Sequence, residues 1–199
     1  MEKQRTMKKG WRRIVIIMIG APSCTGKTLM AQRLMERYAV PYYSIDHLKM
    51  GIYKAWKGCG YHPEDDDEHI AGILWPVVRE TVHTAIENHQ HLIVEGCYYF
   101  PEHAREWTEP YASQIVSVFV VFSPQYIERN FNHSILPYRT IIEDRPEEGR
   151  SVDTFLQDHA RYQQRCLANG VDFFEIRDNY EEEMKAIYAW IHGRISAMG

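Results

Sequence analysis

Apolar and polar positions along the chain change period from block to block, and each change marks an element. Residues 14–19 read Ile-Val-Ile-Ile-Met-Ile, an unbroken apolar run rich in β-branching and closed by Gly20, which suits a strand buried on both faces. From Lys27 onward, Leu29, Met30, Leu34 and Met35 recur at helical spacing, and the pattern stops before Pro41, which cannot continue a helix. Residues 41–45 predict a short second strand ending at Asp46, then a helix over 47–56 and a loop over 57–63. The acidic run Glu64-Asp-Asp-Asp-Glu68 opens a long helical stretch to residue 88, because acids complement the exposed N–H groups of a helix start. Pro76 is expected to kink or divide that helix.

Residues 92–94 predict a third buried strand ending in Glu95-Gly96, and residues 115–122 a fourth. A helix over 124–131 follows. Residues 136–150 are polar, with two prolines and a glycine between helices, and read as a mobile excursion or lid. Ser151 caps a helix to residue 169, residues 172–176 form a fifth strand, and 180–197 a terminal helix with Met184, Ile187, Tyr188 and Ile191 on one face. Strands alternating with helices predict an α/β fold with a parallel sheet whose ligands gather at the carboxyl ends of the strands. That rule singles out 20–27, Asp46 and Glu95.

Composition sharpens this picture without redirecting it. The 199 residues are 45% hydrophobic and 13% aromatic, enough for a packed core in a single domain over 14–199. Residues 1–13 carry six basic side chains against Glu2, a local +5, so a total of −4 leaves −9 on the remainder. An acidic body argues against a nucleic-acid partner, and the basic leader reads as a flexible, solvated terminus. The longest apolar run falls far short of a membrane span, and nothing resembles a cleavable signal, so the expected location is cytoplasmic. Cys24, Cys59, Cys97 and Cys166 are scattered, as free thiols would be, and the ten histidines lack the spacing of a metal site.

Gly20-Ala21-Pro22-Ser23-Cys24-Thr25-Gly26-Lys27-Thr28, followed by Leu29, fits the phosphate-loop pattern with Ala21 in place of its first glycine. In that pattern successive backbone N–H groups surround a phosphate, Gly26 allows close approach, Lys27 reaches the β/γ oxygens of ATP, and the Thr28 hydroxyl faces Mg²⁺. The flanking strand and amphipathic helix supply the context the motif requires. Cys24 reads as a packing residue.

With this loop, the chain resembles the small phosphate-loop kinases that include adenylate, shikimate and gluconate kinases. Ser44-Ile-Asp46-His-Leu-Lys-Met-Gly51 and Ile93-Val-Glu95-Gly96-Cys-Tyr-Tyr-Phe-Pro101 look most like 2-phosphoglycerate kinases. The resemblance implies a three-layer P-loop NTPase fold, a five-stranded parallel sheet with helices on both faces, a substrate-binding insertion over 47–88 and an arginine-bearing lid over 136–150. It implies that Asp46 faces the acceptor and orients or deprotonates its hydroxyl. It also implies that Glu95, where adenylate kinases carry aspartate, hydrogen-bonds Thr28 or holds a water of the Mg²⁺ shell. Gly96 then lets substrate approach the backbone, Tyr98 touches it, and Arg79 becomes an anion clamp, although the Phe-Arg-x-x-Glu pattern stands here as Val78-Arg79-Glu80. Among Arg129, Arg139, Arg145 and Arg150, Arg139 and Arg145 best suit the lid. His47 is a candidate substrate contact, Asp65 to Asp67 read as helix capping, and Trp56 and Tyr99 as packing.

The expected function is ATP-Mg²⁺-dependent phosphoryl transfer to a small-molecule acceptor. A guanine-nucleotide switch lacks its Asn-Lys-x-Asp, and a nucleic-acid-end kinase sits poorly with the acidic body. A non-catalytic nucleotide-binding regulator is the other alternative. Sequence alone specifies neither the acceptor nor the oligomeric state.

Overall fold

A computed structural model describes residues 14–138 and 151–198. The expected basic leader and residues 139–150 of the expected lid, with Arg139, Arg145 and Arg150, lie outside the described residues.

Five strands form one parallel sheet: β1 (Ile16–Gly20), β2 (Tyr42–Ser44), β3 (Leu92–Gly96), β4 (Ile115–Phe122) and β5 (Phe174–Ile176), in the order β2-β3-β1-β4-β5. The six longer helices are α1 (Lys27–Tyr38), α2 (Ile45–Ala55), α3 (Asp67–Glu87), α4 (Pro124–Asn130), α5 (Val152–Asn169) and α6 (Tyr180–Met198). Because strand side chains alternate, β1 feeds two cores. Ile17 and Ile19 pack with Met30 and Leu34 of α1 and with Met184, Ile187 and Ile191 of α6. Ile16 and Met18 pack with Ile70, Leu74, Val78 and Val82 of α3 and Tyr162 of α5. The central strand is therefore buried on both faces, as its unbroken apolar run requires.

Local chemistry sets the helix ends. Asp66 caps α3, accepting from the N–H groups of Glu68 and His69 at 2.9 and 3.4 Å, so the acidic run serves as a cap. Ser151 accepts from the Thr154 N–H to start α5, and Gly170 ends it in the left-handed conformation. Pro76 neither divides nor ends α3. The carbonyl that a proline at this position leaves without its helix partner belongs to Gly72, an exposed residue with open space around it, so water can satisfy it. The helix after β4 outruns its expected end, since a π-helical turn (Phe131–Ile135) and a short turn (Leu136–Tyr138) extend it into the start of the expected excursion. Buried Phe131 and Ile135 continue its apolar face. None of the four cysteines is in a disulfide, and no helix among the described residues is long and apolar enough to cross a membrane.

Two histidines are buried beside aromatic rings. His103 stacks on Trp75 and accepts the Phe100 N–H through Nδ1, while His159 stacks on Phe122 and accepts its N–H through Nδ1. Burial pushes His103 down to about 4 and His159 down to about 3. Both fold in the neutral form, so their contribution to stability is complete above the unfolded value of about 6.5 and is lost as pH falls from there toward the folded values. The two together predict a loss of about 3 kcal/mol between pH 6.5 and 5. Urea unfolding across that range checks it, and a double variant with asparagine at both positions should show a much flatter profile.

Candidate phosphate-binding and acceptor site

The carboxyl ends of β1, β2 and β3 bring the candidate residues together. Strand pairing sets Gly20 between Gly96 and Phe119, and Glu95 between Ile19 and Ser44. A Cβ on Gly20 would overlap the Tyr99 carbonyl and the Tyr162 hydroxyl, so only glycine lets α5 close onto the root of the loop. The Tyr162 hydroxyl instead donates to that carbonyl at 2.7 Å.

Beyond Gly20 the loop folds on the Pro22 carbonyl, which accepts from Thr25 Oγ1 and Lys27 Nζ, each at 2.8 Å. Cys24 and Gly26 have φ of 60° and 85°, the left-handed turns that curl a loop into an anion-binding concavity. Cys24 packs against the α1-side core, as expected. Lys27 is the first residue of α1, whose first turn carries no acid and whose N-cap is glycine. A cation there opposes the helix dipole, and its side chain is buried with the residue 9% exposed. Both facts favour an anion at this spot. Of the other loop residues, Ala21 and Pro22 are buried and Ser23, Thr28 and Leu29 half-buried.

Glu95 is 1% exposed, and Thr28 Oγ1 donates to its Oε2 at 3.4 Å. A hydroxyl beside a carboxylate is the hard oxygen pair that Mg²⁺ prefers. The Ser44 hydroxyl, opposite Glu95 in the strand register, is buried without a hydrogen-bond partner among the described residues.

Asp46 lies in the first turn of α2, whose N-cap is Ser44, so it is not the capping residue. One helical turn on, Lys49 Nζ stands 3.8 Å from Asp46 Oδ1 and donates to the Tyr98 hydroxyl at 2.8 Å. Tyr61 anchors this turn through its hydroxyl, which donates to the Lys49 carbonyl at 2.5 Å. Burial, then the Asp46 carboxylate, push the intervening Cys97 thiol up, with Lys27 opposing. Cys97 is thus a protonated thiol, not a nucleophile. Burial also raises Tyr98, leaving it a neutral phenol. Sequence reasoning missed Lys49; its signal was the three-residue spacing from Asp46, which places both on one helix face.

Other expected residues are not brought here. Arg79 pairs with Glu80 at 3.0 Å and with Glu106 at 3.6 Å. Gly96 has a packing reason, since its Cβ would overlap the side chain of Ile45, and substrate access is not needed to explain it. Arg129 is spent on the Arg177 carbonyl at 2.7 Å and Asp178 at 2.9 Å. His47 is exposed, and Trp56, expected to pack, is 63% exposed because α2 ends before it. A groove of about 1100 Å³ lined by Tyr38, Pro41, Val77, Thr84 and His91 lies at the amino-terminal ends of β2 and β3, away from the loop.

Tyr180, at the start of α6, presses on the loop from outside. Its hydroxyl donates to the Thr25 carbonyl at 3.2 Å and sits where a Cβ of Gly26 would be. Gly26→Ala should therefore cost about 2 kcal/mol through backbone strain and this overlap. Adding Tyr180→Phe should recover part of the loss, a non-additivity measured by a urea-unfolding cycle.

No protein-family profile matches the chain, and no curated protein sequence matches it. Solved structures do. A provisionally assigned kinase from Chloroflexus aurantiacus superposes with a TM-score of 0.58 at 18% identity, over 92% of this chain and 99% of its own. Shikimate kinase from Aquifex aeolicus gives 0.51 at 14% identity over 90% and 97%, and a sugar kinase from Janibacter sp. gives 0.51 at 13% identity over 94% and 98%. The five-stranded parallel sheet, its loop and its helices have the fold of these phosphate-loop kinases.

Proposed function

We propose that the protein is a kinase that transfers the γ-phosphoryl group of ATP, with Mg²⁺, to the hydroxyl of a small anionic acceptor. The observation that carries this reading is the buried Lys27 ammonium in a curled loop, with the Thr28–Glu95 oxygen pair on one side and the Asp46–Lys49–Tyr98 cluster on the other. Thr28 and Glu95 would hold Mg²⁺, which would supply charge neutralisation to the triphosphate.

The chain's own groups do the rest. Lys27 exchanges the Pro22 carbonyl for phosphoryl oxygens and fixes the γ-group. Asp46 orients the acceptor hydroxyl and accepts its proton as the new oxygen–phosphorus bond forms and the bond to the β–γ bridging oxygen breaks. Lys49, held by Tyr98, faces the acceptor's own negative charge, which an otherwise acidic body needs to offset locally. Residues 47–88 then form the acceptor-binding insertion, and Arg139 and Arg145, outside the described residues, are the candidates to offset the charge of the transferring group. Within the class of acceptors, 2-phosphoglycerate is the specific candidate: its anionic groups suit Lys49, and the segments around Asp46 and Glu95 resemble the kinases that use it. The expected setting is the cytoplasm.

The test is ATP consumption with Mg²⁺ across 2-phosphoglycerate, nucleoside monophosphates, sugar acids and shikimate. Acceptor-dependent turnover that disappears in Lys27→Ala supports the reading, whereas turnover unaffected by that substitution contradicts it. Lys49→Ala should raise KM for the anionic acceptor about 10- to 100-fold, the range for one charged hydrogen bond, with a much smaller change in kcat. ATP binding with no acceptor-stimulated turnover would instead favour a regulatory protein.

A further inference from the structure

His159 is the second histidine of the buried pair, and its geometry reaches beyond stability. It lies on α5, is 3% exposed, and stacks on Phe122 at 5.1 Å between ring centroids. Its Nδ1 accepts the Phe122 N–H at 2.8 Å. A ring nitrogen that accepts from a backbone amide carries no proton, so the neutral ring's single hydrogen is on Nε2. That Nε2–H donor is buried and has no hydrogen-bond partner among the described residues. Such a group costs about 1–3 kcal/mol when left unmade, and buried donors are retained where something satisfies them.

Position says what does. Strand pairing aligns Gly20 with Phe119, so Phe122 extends about 10 Å further, alongside the loop that follows Gly20. The Phe122 ring meets Tyr180 edge to face, and the Tyr180 hydroxyl bonds the loop at Thr25. Burial first, and then the Lys27 ammonium, lower the pKa of the His159 ring. An unused donor held in one tautomer, on the ring that joins Tyr180 and the anion-seeking loop to α5, is matched to an anion in that loop.

We propose that His159 Nε2–H is an additional phosphate-binding group, donating to a phosphoryl oxygen of the nucleotide once Lys27 moves from the Pro22 carbonyl onto that phosphate. This rests on the phosphate-loop reading. It adds a contact from α5, the helix that follows residues 139–150, so that nucleotide binding and the placement of α5 become linked.

The probes are tripolyphosphate and a non-hydrolysable ATP analogue, titrated calorimetrically into the full-length protein. His159→Asn keeps an oxygen that can accept the Phe122 N–H and removes the Nε2–H; it should weaken tripolyphosphate about tenfold. In the native protein, the imidazole ¹⁵N–¹H signal of His159 Nε2 should shift as tripolyphosphate saturates, a readout that does not depend on how the variant folds. Tripolyphosphate binding that leaves this signal unmoved overturns the inference alone. Absence of binding by the native protein, equal to Lys27→Ala, overturns the phosphate-loop reading and this inference with it.

Discussion

The Lys27 ammonium sits at the positive end of α1, buried, with the Pro22 carbonyl as its hydrogen-bond partner. A cation in that position faces the helix dipole with its sign reversed and has lost most of its water. An anion bound in the loop would answer both costs at once. The surrounding geometry serves the same requirement: Gly20 admits Tyr162, Gly26 admits Tyr180, and Cys24 takes a conformation that side chains seldom adopt. Each of these choices closes packing around the loop without filling its concavity.

The parallel sheet then sets a second polar cluster beside the loop. Because β2 and β3 lie on one side of β1, the carboxyl ends of these strands present Ser44, Glu95 and Ile19 in one row, with Gly96 and Gly20 in the next. Asp46 and Lys49 follow on the first turn of α2, and Cys97 and Tyr98 on the turn after β3. In the proposed reading, donor phosphates and acceptor are served by neighbouring strand ends, and the Cys97 thiol beside Tyr98 stays protonated. On the other side of β1, β4 extends past the loop and carries the aromatic group on which His159 rests.

Sequence pattern revealed the features whose cause is local. The apolar run at β1, the β4 span, the phosphate loop and the capping acids before α3 depend on neighbours in the chain, and their positions could be read directly. Features set by distant partners could not. Gly96 answers to Ile45, Arg79 to Glu106, and Arg129 to the carbonyl of Arg177, contacts that join segments with no shared periodicity. Pro76 was misleading for a related reason, since its tolerance depends on the exposed Gly72 one turn earlier. Lys49 was legible in principle from its spacing to Asp46, but its contact with Tyr98 is visible only in three dimensions.

A crystal structure of the protein with Mg²⁺ and a non-hydrolysable ATP analogue tests the central claim most directly. The account predicts Lys27 Nζ detached from the Pro22 carbonyl and within about 3 Å of β- or γ-phosphoryl oxygens, with the metal beside Thr28 and Glu95. Triphosphate bound elsewhere, or Lys27 still on Pro22 with the nucleotide in place, would contradict it.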